Sequence, residues 1–192
     1  MIHPLLLEVP RAVPTARLLL RPHRRGDGAA LHEALRESID ELRRFLWFLP
    51  WLAEEQTPES AEIRCRRCEA NFLARSDLAY LAFERESGRL VGSVGLHRTD
   101  WALPSTEVGY WIRTSATGRG YAREGVAALV DWALGPLGAR RVQLVTDSEN
   151  LGSRRVAEQC GFSLEGVLHQ VQRDPAGRLR HHCIYARLPD AR

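Results

Sequence analysis

Thr117-Gly118-Arg119-Gly120-Tyr121-Ala122 stands between a strand-like run, Val108-Gly109-Tyr110-Trp111-Ile112, and a long amphipathic helical pattern that starts near Arg123. Glycines between a strand end and a helix start leave several backbone N–H groups unpaired and unshielded. That makes a pocket for a phosphate, although a plain tight turn would use the same two glycines. The third glycine of a dinucleotide-binding G-x-G-x-x-G is missing, because Gly118-Arg119-Gly120 is followed by Arg123. All 27 cationic side chains are Arg. Without a single Lys there is no Schiff-base chemistry of the pyridoxal kind and no phosphate lysine of a P-loop.

A second set of reactive side chains is Cys65-x-x-Cys68, with Cys160 and Cys183 elsewhere. No second pair follows at zinc-finger spacing, so no metal is expected. The pair falls in the middle of a helical pattern over residues 61–74, away from the helix N-terminus that would lower a thiol pKa. Reduced cysteines without a redox or metal role are the expectation.

The elements that must position the loop follow from periodicity. Residues 16–21 form a short apolar run ended by Pro22, and Asp27 is placed to cap a helix over 28–45. An aromatic connector follows, with Trp47, Phe48 and Trp51 as candidate lining of an acceptor groove and plain core packing as the alternative. Thr57-Pro58-Glu59-Ser60 opens the next helix, with Thr57 as N-cap, Pro58 at the first helical position and Glu59 suited to the positive helix start. Residues 78–84 and 90–97 read as strands joined across Ser87-Gly88, and 107–112 as a third.

After the glycine loop, Val126, Leu129, Val130, Ala133, Leu134 and Leu137 recur at helical spacing, with Gly138 as a natural stop. A buried strand over 142–145, a helix over 151–160 capped by Gly161, and strands over 167–173 and 182–187 around Asp174-Pro175-Ala176-Gly177 complete the order. This is an α/β domain with a mixed sheet, read as one domain over residues 1–192.

The net charge of +3 comes from 27 cations and 24 anions without a long block of one sign, an ordinary solvated surface with no nucleic-acid footprint. No run of about 18 apolar residues exists, so no membrane span is expected. Met1-Ile2-His3-Pro4-Leu5-Leu6-Leu7-Glu8 is too short and too soon interrupted for a signal peptide, and a cytoplasmic location is expected.

The element order, with the glycine loop between the fourth strand and the helix after it, resembles the GNAT superfamily of acetyl-coenzyme A dependent N-acetyltransferases. The family's pyrophosphate motif, Gln/Arg-x-x-Gly-x-Gly/Ala, falls on Thr117 to Ala122; Gly120 and Ala122 match, and Thr117 replaces the usual Gln or Arg. Asn150-Leu151-Gly152-Ser153 with Val156 and Gly161-Phe162-Ser163-Leu164-Glu165-Gly166 is similar to the N-x-x-S-x-x-V…G-F-x-x-E-G signature of the branch that holds the ribosomal-protein N-terminal acetyltransferases RimJ and RimL. Residues 15–22, Leu49-Pro50-Trp51, Val91-Gly92-Ser93-Val94-Gly95-Leu96 and Glu107-Val108-Gly109-Tyr110-Trp111 match that branch as well, in the right order.

The resemblance implies a GNAT fold, a mostly antiparallel central sheet of about six to seven strands flanked by about four helices. It implies acetyl-CoA as co-substrate, held by Ile112, Thr117, Gly118, Arg119, Gly120, Tyr121, Ala122, Arg123, Asn150 and Ser153. Transfer of an acetyl group from a thioester to an amine needs a neutral amine, an oxyanion donor and a proton or hydrogen bond for the thiolate. Many relatives carry a Tyr seven positions after the Asn; here that position is Ala157, and Ser153 takes its place. Glu107 is the first candidate for the base, with His97 and Asp100 as rivals, and the oxyanion donor would be a backbone N–H of residues 108–112. The acceptor implied is a protein N-terminal amine reached by direct attack in a ternary complex. A small-molecule amine, or a non-catalytic acyl-CoA-binding module, stands as the alternative, and a homodimer stays open.

Overall fold

A computed structural model describes residues 3–189; Met1 and Ile2, part of the segment weighed as a leader, lie outside the described residues. Eight strands form one mixed sheet in the order β1-β2-β3-β4-β5-β6-β8-β7. They are β1 (Val13–Pro14), β2 (Leu18–Pro22), β3 (Leu78–Glu84), β4 (Leu90–Asp100), β5 (Ser105–Ile112), β6 (Arg141–Asp147), β7 (Ser163–Arg173) and β8 (Leu179–Arg187). The helices are α1 (Gly28–Leu46), α2 (Pro50–Ala53), α3 (Pro58–Ala74), α4 (Tyr121–Leu134) and α5 (Leu151–Gln159). The expected mixed sheet flanked by helices is thus present, with eight strands and five α-helices among the described residues against about six to seven and about four. The additions are short: β1 is a two-residue pairing of Val13 and Pro14 with Leu20 and Leu19, and α2 is one turn begun by Pro50 within the aromatic connector.

The central strands β3 and β4 bury both sides, because a helical layer covers each face there, whereas β7 at the sheet edge is largely exposed. Alternate residues of β3 divide between two cores: Leu78, Tyr80 and Ala82 join Leu18, Leu20, Val94, Val126 and Leu129 beneath α4, while Leu81 joins Leu31, Leu35, Leu52, Cys65 and Trp111 beneath α1 and α3. The same parity puts Val108 and Tyr110 of β5 on the α4 side and Trp111 on the α1 side.

Thr57 and Ser60 form a reciprocal capping box, with Ser60 N donating to Thr57 Oγ1 at 3.0 Å and Thr57 N to Ser60 Oγ at 2.9 Å. Thr57→Ala is expected to lower unfolding free energy by about 1 kcal/mol, read by urea titration; no change would mean that α3 is held by packing alone. Two expected caps are corrected. Asp27 flanks α1 without capping it by its side chain, since its carboxylate takes the Arg21 guanidinium at 2.7 Å and Arg24 N at 2.8 Å. Glu62 of α3 accepts from Gly26 N and Gly28 N instead, at 3.0 and 3.2 Å. Helix α4 ends at Leu134, before Leu137 and Gly138. Gly135 caps it, and Leu137 N and Ala139 N turn back to Trp132 O and Ala133 O. Among the described residues no helix is long and apolar enough to cross a membrane.

Candidate active site

The gap that organises the site lies between β5 and β6. These neighbours are parallel, and pairing covers only Ser105 with Arg141, Thr106 with Val142 and Glu107 with Gln143. Beyond that point β5 runs on to Ile112 and β6 to Asp147 without pairing to each other. Arg113 N donates to Val91 O on the β4 side, and Arg140 N donates to Pro104 O across from β6. With strand alternation, Val108, Tyr110 and Ile112 turn their N–H and C=O groups into the widening gap.

The glycine loop closes the wide end. Arg113 is buried and pairs with Glu33 and Glu37 of α1 at 2.6 and 2.5 Å, while Ser115 N donates to Glu37 Oε1 at 2.7 Å. Burial opposes ionisation of Glu37, but the Ser115 and Arg113 hydrogen bonds prevail and hold it down to about 2. Thr117 Oγ1 donates to Thr114 O at 2.8 Å and so locks the single 3-10 turn Thr114–Ala116 that precedes the glycines. Gly118 and Gly120 take φ of +74° and +80°, the left-handed region that glycine enters freely. Among the described residues, the N–H groups of residues 118–123 donate to no protein acceptor, and Glu124 N, bonded to Gly120 O, starts the helical ladder. A row of aligned N–H groups at an exposed helix start fits a pyrophosphate.

The side chains around the loop serve mainly to hold it. Arg17 bonds Glu124 at 2.7 Å and Arg119 O at 2.9 Å. Tyr121 is buried, donates its hydroxyl to Glu84, and carries the Arg17 and Arg119 guanidinium groups over its ring, 4.8 and 4.9 Å from the ring centre. Arg119 itself reaches Glu84 at 3.0 Å. Of the residues expected at the phosphate, Arg119 and Tyr121 therefore have their side chains engaged with protein groups, while Gly118, Gly120, Ala122 and Arg123 offer backbone.

On the β6 side the gap is bordered by the start of α5. Asn150 caps that helix, its Oδ1 accepting from Ser153 N at 3.1 Å, which leaves its amide NH2 as the group able to donate. Tyr110 Oη donates to Ser153 Oγ at 2.9 Å, a bond from β5 to α5 across the gap. Burial raises the Tyr110 hydroxyl to about 12, against a smaller opposing effect of that bond. The hydroxyl stays protonated and a donor. Tyr110 was absent from the expected site; its place in Glu107-Val108-Gly109-Tyr110-Trp111 gave only a strand. Ala157 is fully buried and turns into the α4-side core.

At the narrow end Glu107 meets Arg98 through both carboxylate oxygens, one bond at 3.1 Å, and Gln143 at 3.4 Å. His97 is its register partner on β4. Asp100 is spent on a turn, Oδ1 accepting from Ala102 N and Leu103 N at 2.8 and 3.1 Å. Among the aromatics, Trp51 lies beneath Arg64, 3.5 Å from the guanidinium to the ring centre, and belongs to the core, whereas Phe48 is exposed and faces the His182 ring at 6.3 Å. Burial drives the Cys65 thiol up to about 12 and raises Cys68, so neither supplies a thiolate at neutral pH.

The pattern of the acetyltransferase (GNAT) domain matches residues 17–163, and the chain belongs to this family. It is an acetyl-CoA-dependent N-acetyltransferase. The N-acetyltransferase YoaA of Bacillus subtilis is 27% identical over 81% of this chain and 85% of its own length. The ribosomal-protein-serine acetyltransferase of Escherichia coli is 30% identical over 43% of this chain and 46% of its own. Among solved structures, RimL, a ribosomal L7/L12 alpha-N-protein acetyltransferase in complex with coenzyme A, superposes with a TM-score of 0.85 at 22% identity, over 94% of this chain and 99% of that one. The microcin C7 self-immunity acetyltransferase MccE, in complex with acetyl-CoA and AMP, gives 0.80 at 18% identity over 90% and 93%.

Proposed function

We propose that this protein acetylates the N-terminal amine of a protein or peptide, by direct attack on acetyl-CoA within a ternary complex. The observation that carries the reading is a set of donors along one gap, beginning with loop N–H groups that have no protein acceptor among the described residues. It runs from the N–H groups of residues 118–123, past the inward-facing backbone of Ile112 and Tyr110, to Asn150 and Ser153. The loop holds the pyrophosphate, the strand edge and the Asn150 amide hold the pantetheine arm, and a backbone N–H of Val108 or Tyr110 stabilises the oxyanion. The branch resemblance of Asn150 to Gly166, with ribosomal-protein acetyltransferases among the relatives, favours a protein N-terminus. The single sheet with a core on each face supports one acetyltransferase domain.

Ser153 is the proposed partner of the leaving thiolate. Because Tyr110 donates to Ser153 Oγ, the proton of Ser153 is left to point into the gap. A thiolate is a good leaving group with a conjugate acid near 8.5, so a positioned hydrogen bond suffices. Glu107 is the proposed carboxylate facing the acceptor, exchanging Arg98 for the incoming ammonium.

The test is incubation of the full chain with acetyl-CoA and a panel of N-terminal peptides and small amines. The expected result is thiol release with one acetyl group gained on a peptide α-amine. Acetylation of small amines alone would support the small-molecule alternative, and coenzyme A binding without transfer the binding module; either overturns the proposal. Ser153→Ala is expected to lower kcat about 100-fold and Tyr110→Phe about 10-fold, with the Kd for coenzyme A within about threefold of the parent.

A further inference from the structure

Asp77, between α3 and β3, and His97, on β4, form a dyad beside the narrow end of the gap. His97 Nδ1 lies 2.6 Å from Asp77 Oδ1, and both side chains are partly exposed, at 33% and 28%. The imidazole lies flat across two strands because Gly95 and Gly109 have no side chains there. A Cβ on Gly95 would stand 2.7 Å from His97 Nε2, and one on Gly109 2.9 Å from Cδ2 and 3.2 Å from Nε2. Gly109 belongs to β5, just past the last pairing with β6, so the free edge of the ring rests where the gap opens.

A carboxylate on Nδ1 fixes the tautomer that carries its proton there and leaves a lone pair on Nε2. The groups around the dyad are few. Glu107 is the cross-strand neighbour of His97, Arg98 follows on the same strand, and Arg64 and the neutral Cys68 thiol of α3 lie within reach of the Asp77 charge. Glu107 already has the Arg98 guanidinium, and Asp100 is committed to its turn. Among the described residues His97 Nε2 has no hydrogen-bond partner, its Nδ1 being the nitrogen that meets Asp77.

We propose that His97, oriented by Asp77, is the general base of the acetyl transfer, its Nε2 taking the proton from the acceptor ammonium. The proposal rests on the acetyl-transfer reading above. The ammonium gives one proton to Nε2, and the freed lone pair forms the C–N bond at the thioester carbonyl. The C–S bond then breaks, the nitrogen gives its second proton to solvent water, and the imidazolium afterwards releases its own there. The departing thiolate takes up one proton by way of the Ser153 hydroxyl. Amide, free thiol and one released proton result. Asp77 acts through His97 as a positioning residue, and Glu107 keeps the ammonium beside Nε2.

Two measurements on the full chain test this. The first needs no acceptor: long-range 15N–1H imidazole spectra at pH 8 are expected to show His97 with its proton on Nδ1, and Asp77→Asn to move a share of it to Nε2. A proton on Nε2 in the parent overturns the proposal, whether or not the acceptor is found. The second uses an N-terminal peptide that the parent enzyme acetylates. His97→Gln is expected to lower kcat at least 100-fold at pH 7, with a deficit that shrinks as pH rises and the amine deprotonates by itself, and with Kd for coenzyme A unchanged within twofold. Asp77→Asn is expected to lose about 10-fold with the same pH trend, and Glu107→Gln to raise the acceptor KM while keeping the acid limb. A His97→Gln enzyme within threefold of the parent, or an acid limb that disappears in Glu107→Gln instead, overturns it. A panel on which nothing is acetylated defeats the acetyl-transfer reading and leaves the tautomer spectrum to decide the dyad.

Discussion

Arg180→Met is expected to cost about 3–5 kcal/mol of unfolding free energy, because it strips the partner from a charge that cannot reach water. Arg180 and Asp147 expose 3% and 2% of their side chains and share two bonds, at 2.8 and 2.9 Å, with Glu149 added at 2.9 Å. Desolvation pushes the Asp147 carboxyl upward, but the Arg180 hydrogen bonds, the Glu149 N–H and the Arg180 charge outweigh it, and the group sits below its ordinary range. In the parent this contribution is complete above the unfolded carboxyl pKa and fades as pH falls through the folded one. Without Arg180 the burial opposes ionisation unopposed by the cation, so the variant's deficit is largest at neutral pH and shrinks toward acid. Urea titrations at pH 7 and pH 5 check this; an equal deficit at both would mean that lost packing outweighs lost charge. The double variant Arg180→Met with Asp147→Leu is expected to regain part of the loss, since buried pairs replaced as a whole are often close to neutral. The pair also serves the site: Asp147 accepts from Glu149 N with its side chain and from Asn150 N with its carbonyl, and these bonds begin the turn into α5.

The reach of sequence reasoning differs between the frame and this interior. Strand and helix positions were legible where the apolar pattern is clear, as in the continuous buried run of β3 and the helical spacing of Leu31, Leu35 and Leu42 in α1. The Thr57 cap was legible because a capping box is local, its two partners three residues apart. Asp27 and Gly138 failed for the opposite reason. Asp27 was claimed by Arg21, and Gly26 and Gly28 by Glu62, a residue 34 positions after Gly28. At the end of α4, Gly135 came before Gly138 could act. Within the site, the glycine loop, Asn150 and Ser153 could be named from local pattern and family resemblance together. Tyr110 and Asp77 could not, because their partners Ser153 and His97 are distant in the chain and meet only through the strand order. Tyr110 would also have been expected to act as core. Glu107 and Asp100 look equivalent as carboxylates near strand ends; only the fold assigns one to a guanidinium beside the gap and the other to a turn.

Gly120→Val is expected to weaken coenzyme A binding about 100-fold, more than removal of any single side chain around the loop. The residue sits at φ +80°, where an L side chain costs about 1–2 kcal/mol and a β-branched one more. A Cβ there would also stand 3.4 Å from Arg17 Nη2, the group that ties the loop to α4. The strain is relieved by rotating the backbone, and rotation turns the N–H groups of Gly120 and Tyr121 away from the phosphate line. Gly118→Ala meets open space at φ +74°, so it carries the conformational cost without a contact, and a loss of about 10-fold is expected. Thr117→Ala removes only the bond to Thr114 O, and Arg119→Ala a cation already held by Glu84, so each is expected within about threefold of the parent. Titration calorimetry with coenzyme A, beside thermal melts to verify folding, orders the four variants. The order Gly120, Gly118, then Thr117 and Arg119 means that aligned backbone dipoles hold the pyrophosphate. If Thr117→Ala or Arg119→Ala is the weakest binder, side chains hold it, and the replacement of the family's Gln or Arg by Thr117 is then a change in the binding mechanism rather than a tolerated substitution.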